Sequence, residues 1–168
     1  SSTNHSWSLF LTNQIIRDNG KSVLIAHADN YYDPKLLSIL IESPYEDVIL
    51  VDPYYSIKTN DELMVIGNND VVGDLRYIYE RSGSFLGEFV GLHKWSQRFA
   101  LSFLYYLESH FDIHGKNDGY DWLIGRFIEQ NNTDLHYLLI NELKWINVNH
   151  EDDYFYAKEL SEEFLANA

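Results

Sequence analysis

The chain contains no cysteine. That excludes disulfides, thiolate nucleophiles and cysteine-based metal sites, and it leaves the redox compartment open. Basic residues are scarce. Twelve Lys+Arg stand against 26 Asp+Glu, so the formal charge is -14 and the pI is near 4.7. A chain this acidic is repelled by a phosphate backbone, which argues against nucleic-acid or anionic-membrane binding as its main task. A small phosphorylated ligand is not excluded, because Mg²⁺ can bridge carboxylates and phosphates. No apolar run approaches the roughly 18 residues of a membrane span. Ser1 to Ser8 lacks the basic region and apolar run of a secretory leader, so the expectation is a cytoplasmic protein. The patterns GxSxG, HExxH, GxxxxGK[ST] and GxGxxG are all missing. Their absence removes the hydrolase nucleophile elbow, the helix-borne zinc pair and the phosphate-cradling loop.

What the chain does have is apolar and aromatic material. Of its 168 residues 45% are hydrophobic and 15% aromatic, with 13 Tyr, 9 Phe and 4 Trp. That suffices for the core of a single domain spanning 1–168. SWSLFLTNQIIRDNG predicts a helix capped by Ser6 or Ser8 and stopped at Asn19-Gly20. Val23 to Ile25 reads as a short buried strand, and Pro34 fits the first turn of a helix capped by Asp33. Val48 to Val51 is a second buried strand. ELMVIGNNDVVGD predicts a hairpin turning at Gly67-Asn68-Asn69. SFLGEFVGLHKW reads as a strand whose Gly87 and Gly91 mark either close backbone approach or bulges. Helices over Ser96–Phe111 and Gly119–Asn131, strands at LHYLLI and LKWINVN, and an acidic C-terminal helix complete an α/β layered domain.

Three places could carry chemistry. Asp29 follows the first buried strand, and in open α/β sheets ligands bind beyond the C-terminal strand ends. A carboxylate there can hold a divalent metal and its phosphates, or simply cap a turn. Asp52 ends the next strand in the same way. Glu88 lies between Gly87 and Gly91 and alternates away from Phe89, which suits either a polar ligand or solvent. Asn149 shares a strand face with Asn147, and it can also cap the last helix with Asp152 in a capping-box pattern.

Taken together and in order, TNHSWSLFLTNQI, VLIAHADNYYD, GEFVGLHKWS and WINVNHEDDYFYA resemble the nucleotidyltransferases of the sugar-nucleotide and phosphocholine cytidylyltransferase kind. The resemblance implies a Rossmann-like layered α/β/α fold with a mixed sheet, of nucleotide-diphospho-sugar transferase type. It implies transfer of a nucleotidyl group from an NTP, CTP or UTP favoured, to phosphocholine, an aminoalkyl phosphonate or a sugar phosphate. Asp29 matches the family's Mg²⁺-binding aspartate. Asn149 stands where the family usually has a second metal-binding aspartate. Glu88 matches an acceptor-pocket position, and Glu80-Arg81 matches a Glu-Lys pair. Tyr31, Tyr32, Tyr54, Tyr55, Tyr120, Trp95 and Trp122, in or near predicted loops, are candidates for holding a cationic headgroup by ring faces, with Glu88, Asp118 and Asp121 adding charge, or the rings simply fill the core. The family's opening strand and glycine-rich loop, with its Arg and Lys, have no counterpart in these residues. The resemblance therefore implies a partial domain, with a second polypeptide segment or self-association covering the sheet. A non-catalytic relative that binds a ligand or a protein is the alternative.

Overall fold

The computed structural model describes residues 4–54, 62–77 and 84–166. Arg81, its neighbour Glu80, and Tyr55 lie outside these described residues.

The first predicted helix is two short ones. Helix α1 (His5–Phe10) is capped by Asn4, whose side chain accepts the His5 N–H at 2.7 Å, and not by Ser6 or Ser8. Helix α2 (Asn13–Asn19) follows after a break. The break has a local cause: the Thr12 hydroxyl donates to the Leu9 carbonyl at 2.7 Å, a side-chain bond that competes with continued helix. Strand β1 (Val23–Ala26) leads through the turn carrying Asp29 into β2 (Asn30–Tyr32). Helix α3 (Lys35–Glu42) opens with Asp33 Oδ1 accepting the Lys35 N–H at 2.9 Å. Next come β3 (Val48–Asp52), β4 (Leu63–Asn68) and β5 (Val71–Tyr77). The β4–β5 hairpin turns at Asn69 and Asp70, with φ of 52° and 63°, two residues later than Gly67 would place it. Both turn residues tolerate the left-handed region that tight hairpins demand, so Gly67 is left inside β4. Strand β6 (Gly87–Trp95), α4 (Gln97–His114), α5 (Tyr120–Asn131), β7 (His136–Leu139), β8 (Trp145–Asn147) and α6 (Glu151–Ala166) complete the chain.

The large sheet runs β1-β6-β3-β7-β5-β4, and β4 also pairs with β6. Its pairings are antiparallel except β3 with β7, so the sheet is mixed. Alternation along β3 explains the layers. Ile49 and Val51 face a core built with α1, α2, α4 and α5. Val48 and Leu50 face the opposite way, against Leu36 and Leu40 of α3. All four strand residues are fully buried, as a strand covered on both faces requires. Helix α4 is anchored where Ser96 Oγ accepts the Phe99 N–H, while buried Asp47 accepts the Ser96 N–H at 2.6 Å. Among the described residues, no helix is long and apolar enough to cross a membrane.

Strand β2 has no separate sequence signal. Asn30–Tyr32 is too short for a period, and its ladder partner β8 lies more than a hundred residues away. The two form a separate ribbon outside the main sheet, and α6 covers it through Ile146, Ala157 and Leu160.

Candidate functional site

β1 and β3 both run antiparallel to β6, so they point the same way. Their C-terminal ends therefore meet at one sheet edge. A cleft of about 1470 Å³ opens there, lined by Asp29, Asp52, Glu88, Asp121 and Asn149 among others. Eight carboxylates line it against a single lysine, Lys144. That lysine is already held by Glu163 at 2.6 Å, and the cleft is strongly acidic.

Asp29 and Asn149 come together through the small ribbon. The Val148 N–H donates to the Asp29 carbonyl at 2.7 Å, extending the β2–β8 pairing by one step. This carries residue 149 to the turn that holds Asp29. Both side chains are exposed to the cleft, and neither hydrogen-bonds to another described residue. The cap of α6 is not Asn149. Asp153 Oδ2 accepts the N–H groups of Asn149 and His150, at 3.1 and 2.9 Å. Asp153 therefore takes the reach-back role expected of Asp152, and no hydrogen bond among the described residues engages the Asn149 side-chain amide.

The Asp29 turn is clamped from β6. The Asn30 amide donates to the Val90 carbonyl at 2.6 Å, and the His27 N–H donates to Gly91 O at 3.0 Å. Gly91 has φ +76°, and a Cβ there would lie 2.5 Å from Asn30 Nδ2 and 2.8 Å from the His27 ring. No side chain fits, so Gly91 marks close approach of the two chain segments. Gly87 marks a second close approach, since its Cβ would meet the Asp52 carbonyl at 2.2 Å spacing.

One end of the cleft joins carboxylates to ring faces. Glu88 and Asp52 are direct partners across the β3–β6 ladder. Asp52 Oδ2 accepts the Trp145 indole N–H at 2.9 Å, and Oδ1 accepts the Tyr54 N–H at 2.8 Å. Two carboxylates facing each other across strands repel, and a cation between them relieves that repulsion. Trp145 was not picked out from the sequence, because a tryptophan in a short apolar run reads as core.

The other end is a histidine corner. His5 Nε2 lies 2.7 Å from Asp121 Oδ1. Burial pushes the Asp121 carboxyl up, but the His5 hydrogen bond and the charges of His5 and His27 more than offset that, leaving it lowered. Burial lowers the pKa of His27 and lowers that of His93 further. His93 Nε2 meets the Tyr120 hydroxyl at 3.0 Å, and burial raises that phenol well above its ordinary value. His5 and His27 gave no sequence signal, since neither sits in a recognisable pattern.

Two candidates lie elsewhere. Trp95 is 1% exposed, packed on Phe99 and Phe103 in the core, and it does not line the cleft. It closes the predicted strand beside a junction where a ring could face either ligand or core, and β6 turns it into the core. Tyr31 stacks on Phe164 of α6 at 5.8 Å and is not part of the cleft wall either.

Among the described residues no group of three or more acidic or histidine side chains is arranged to hold a metal ion. The oxygen donors at 29 and 149 nonetheless suit Mg²⁺, which takes one or two carboxylates and fills its shell with water and substrate phosphates.

No family model and no curated protein sequence matches the chain. Solved structures do. The inositol-1-phosphate CTP transferase of T. maritima superposes with a TM-score of 0.71 at 11% identity, covering 96% of this chain and 64% of that one. The CTP:phosphocholine cytidylyltransferase of Streptococcus pneumoniae gives 0.64 at 16% identity, covering 95% and 64%. A nucleoside-diphosphate-sugar pyrophosphorylase of Vibrio cholerae gives 0.61 at 12%, covering 92% and 64%. The chain has the mixed α/β fold of nucleotidyltransferases. It spans about 64% of the length of these structures.

Proposed function

We propose that this chain contributes the acceptor and metal side of a nucleotidyl transfer site. The reaction moves a nucleotidyl group from an NTP, CTP or UTP favoured, to a small phosphorylated acceptor. A phosphate oxygen of the acceptor attacks the α-phosphorus, a new P–O bond forms, and the bond to the bridging oxygen breaks to release pyrophosphate. The nucleophile is already anionic, so no general base is needed and the protein's part is positioning and charge. Asp29 and Asn149 would hold Mg²⁺, which supplies neutralisation of the phosphate charge. The carrying observation is their placement at one strand end by the Val148–Asp29 bond. Asn149 contributes a neutral oxygen, so it binds a cation more weakly than a second carboxylate would.

The acceptor end favours a cationic headgroup of the phosphocholine or aminoalkyl-phosphonate type. Asp52 and Glu88 attract the charge, and the Trp145 and Tyr54 rings offer faces worth about 1–2 kcal/mol when desolvated. Asp121 adds negative charge at the other end of the same cleft. A sugar phosphate, whose sugar carries no positive charge, gains nothing from these carboxylates. The triphosphate requires cations that the described cleft does not supply. We assign that task to Arg81 and to a further polypeptide segment.

Calorimetry with CTP, UTP and Mg²⁺ on wild type and Asp29→Ala tests the metal side. Loss of Mg²⁺-dependent nucleotide binding in the variant is expected, and equal binding by both proteins would remove Asp29 from the mechanism. Phosphocholine binding by wild type and Glu88→Gln tests the acceptor side separately.

A further inference from the structure

Helix α5 starts without a cap of its own. Its N-cap residue is Gly119, which has no side chain to accept the free N–H groups of the first turn. The cap comes from α1 instead, where the Tyr120 N–H donates to His5 Nε2 at 3.1 Å. The same ring nitrogen lies 2.7 Å from Asp121 Oδ1. These two contacts make opposite demands, because an imidazole nitrogen carries either a proton or a lone pair. The Tyr120 N–H needs the lone pair, with the ring's proton on Nδ1. The Asp121 carboxyl, whose pKa is lowered despite its burial, needs the proton on Nε2. One nitrogen cannot serve both. The corner is also tight. A Cβ on Gly119 would lie 2.8 Å from Asp121 Oδ1 and from His5 Cε1, and 2.9 Å from His5 Nε2, so glycine is required there for space.

Two fields act on the ring in opposite senses. The start of a helix disfavours a cation, which supports neutral His5. An ionised carboxylate within hydrogen-bond reach supports the cation. The other groups around His5 come from several elements. His27 of β1 has its ring centroid 5.9 Å away. His93 of β6 stacks on Tyr120 behind it. Asp29, in the turn after β1, acts by charge on His27 and Tyr120. Lys116, between α4 and α5, sits over the Trp7 ring at 3.3 Å.

We infer that His5 is a proton-operated switch at the junction of α1 and α5. Neutral, it caps α5 through Tyr120. Protonated, it gives up that cap and pairs with Asp121. All three residues line the cleft, so the switch alters the wall where the two helices meet. It also offsets one unit of negative charge there, which weakens the pull on a cation in acid. The inference rests on the shared nitrogen, and it stands whether or not the cleft transfers nucleotides.

The test follows isotope-labelled protein by NMR between about pH 5 and 8. Ring-nitrogen shifts report whether His5 Nε2 carries a proton. Amide exchange reports the protection of the Tyr120 N–H, taken relative to Phe127 of the same helix. As pH falls Nε2 should pass from lone pair to N–H, and in the same transition the relative protection of Tyr120 should drop about tenfold. His5→Gln keeps an acceptor without a titrating ring, so Tyr120 protection should stay level across the range. A Tyr120 amide that ignores the His5 transition would overturn the proposal. So would an Nε2 that keeps one state throughout, or a Tyr120 transition that persists in His5→Gln and so belongs to His27 or His93. Should His5→Gln unfold, the ring and amide signals of the wild type decide alone.

Discussion

The two ends of the cleft treat their polar groups in opposite ways. In the histidine corner the protein pairs several of its own polar groups, His5 with Asp121 and His93 Nε2 with Tyr120, while the buried His27 Nε2 and His93 Nδ1 have no hydrogen bond among the described residues. Elsewhere in the cleft, the side chains of Asp29 and Asn149 make no hydrogen bond among the described residues, and Asp52 stands across the ladder from Glu88. On the proposed reading the first end is structural and the second receives the ligand. The difference predicts that changes in the corner cost stability, while changes at the open end cost binding and leave the fold alone.

The strongest way to break that comparison is Gly91, where both ends are held. Gly91→Val forces a side chain against Asn30 and His27 at a positive φ. It should cost about 3 kcal/mol in thermal or urea unfolding and displace the Asp29 turn, abolishing nucleotide binding. A variant that melts like wild type would show that the clamp is soft.

His5→Ala comes next. It leaves the buried Asp121 carboxylate without its closest partner, at about 1–2 kcal/mol after allowance for the exposed histidine. Urea titration measures it. The pH dependence of stability sharpens the same point. His27 and His93 have folded pKa values below the ordinary 6.5, so the unfolded chain binds their protons more readily. Their contribution is present above pH 6.5 and is lost as pH falls through their folded values. Asp121, also lowered, adds a loss further down, below its ordinary 3.8. Melting temperature should therefore fall between neutral and mildly acidic pH, and His93→Gln should flatten that fall. An unchanged slope would dismiss the buried histidines as its source.

Asp153→Ala removes the acceptor for two N–H groups at the start of α6, at about 1 kcal/mol. Because the same bond fixes residue 149, weaker Mg²⁺-dependent binding should accompany it. The smallest effect on stability is expected from Glu88→Gln, which keeps the side chain's size and hydrogen-bonding reach and removes its charge. Phosphocholine affinity should drop about tenfold. A large loss of stability there would place Glu88 with the structural groups.

Much of the layering was legible in the chain. Val48 to Val51 is apolar throughout and is buried throughout. Helices α3, α4 and α5 follow their apolar periods, although α4 runs on to His114 because Gly115 closes it onto Phe111. Asp29 was legible as a carboxylate past a strand. The aromatic residues were not, because a ring next to a predicted loop looks the same whether it faces ligand or core. Trp95 turned inward and Trp145 turned outward, and their sequence neighbourhoods do not distinguish them.

Composition and local pattern thus determined an acidic α/β domain with carboxylates following two of its strands, because alternation acts over a few neighbouring residues, but they misread β1 as buried where it is the half-exposed edge of the sheet. Tertiary structure decided which of those carboxylates share a cleft. Residues 29 and 149 meet through a three-residue ribbon between distant segments, and 52 meets 88 through ladder register. Such pairings arise from long-range backbone hydrogen bonds, which carry almost no signature in the residues that make them.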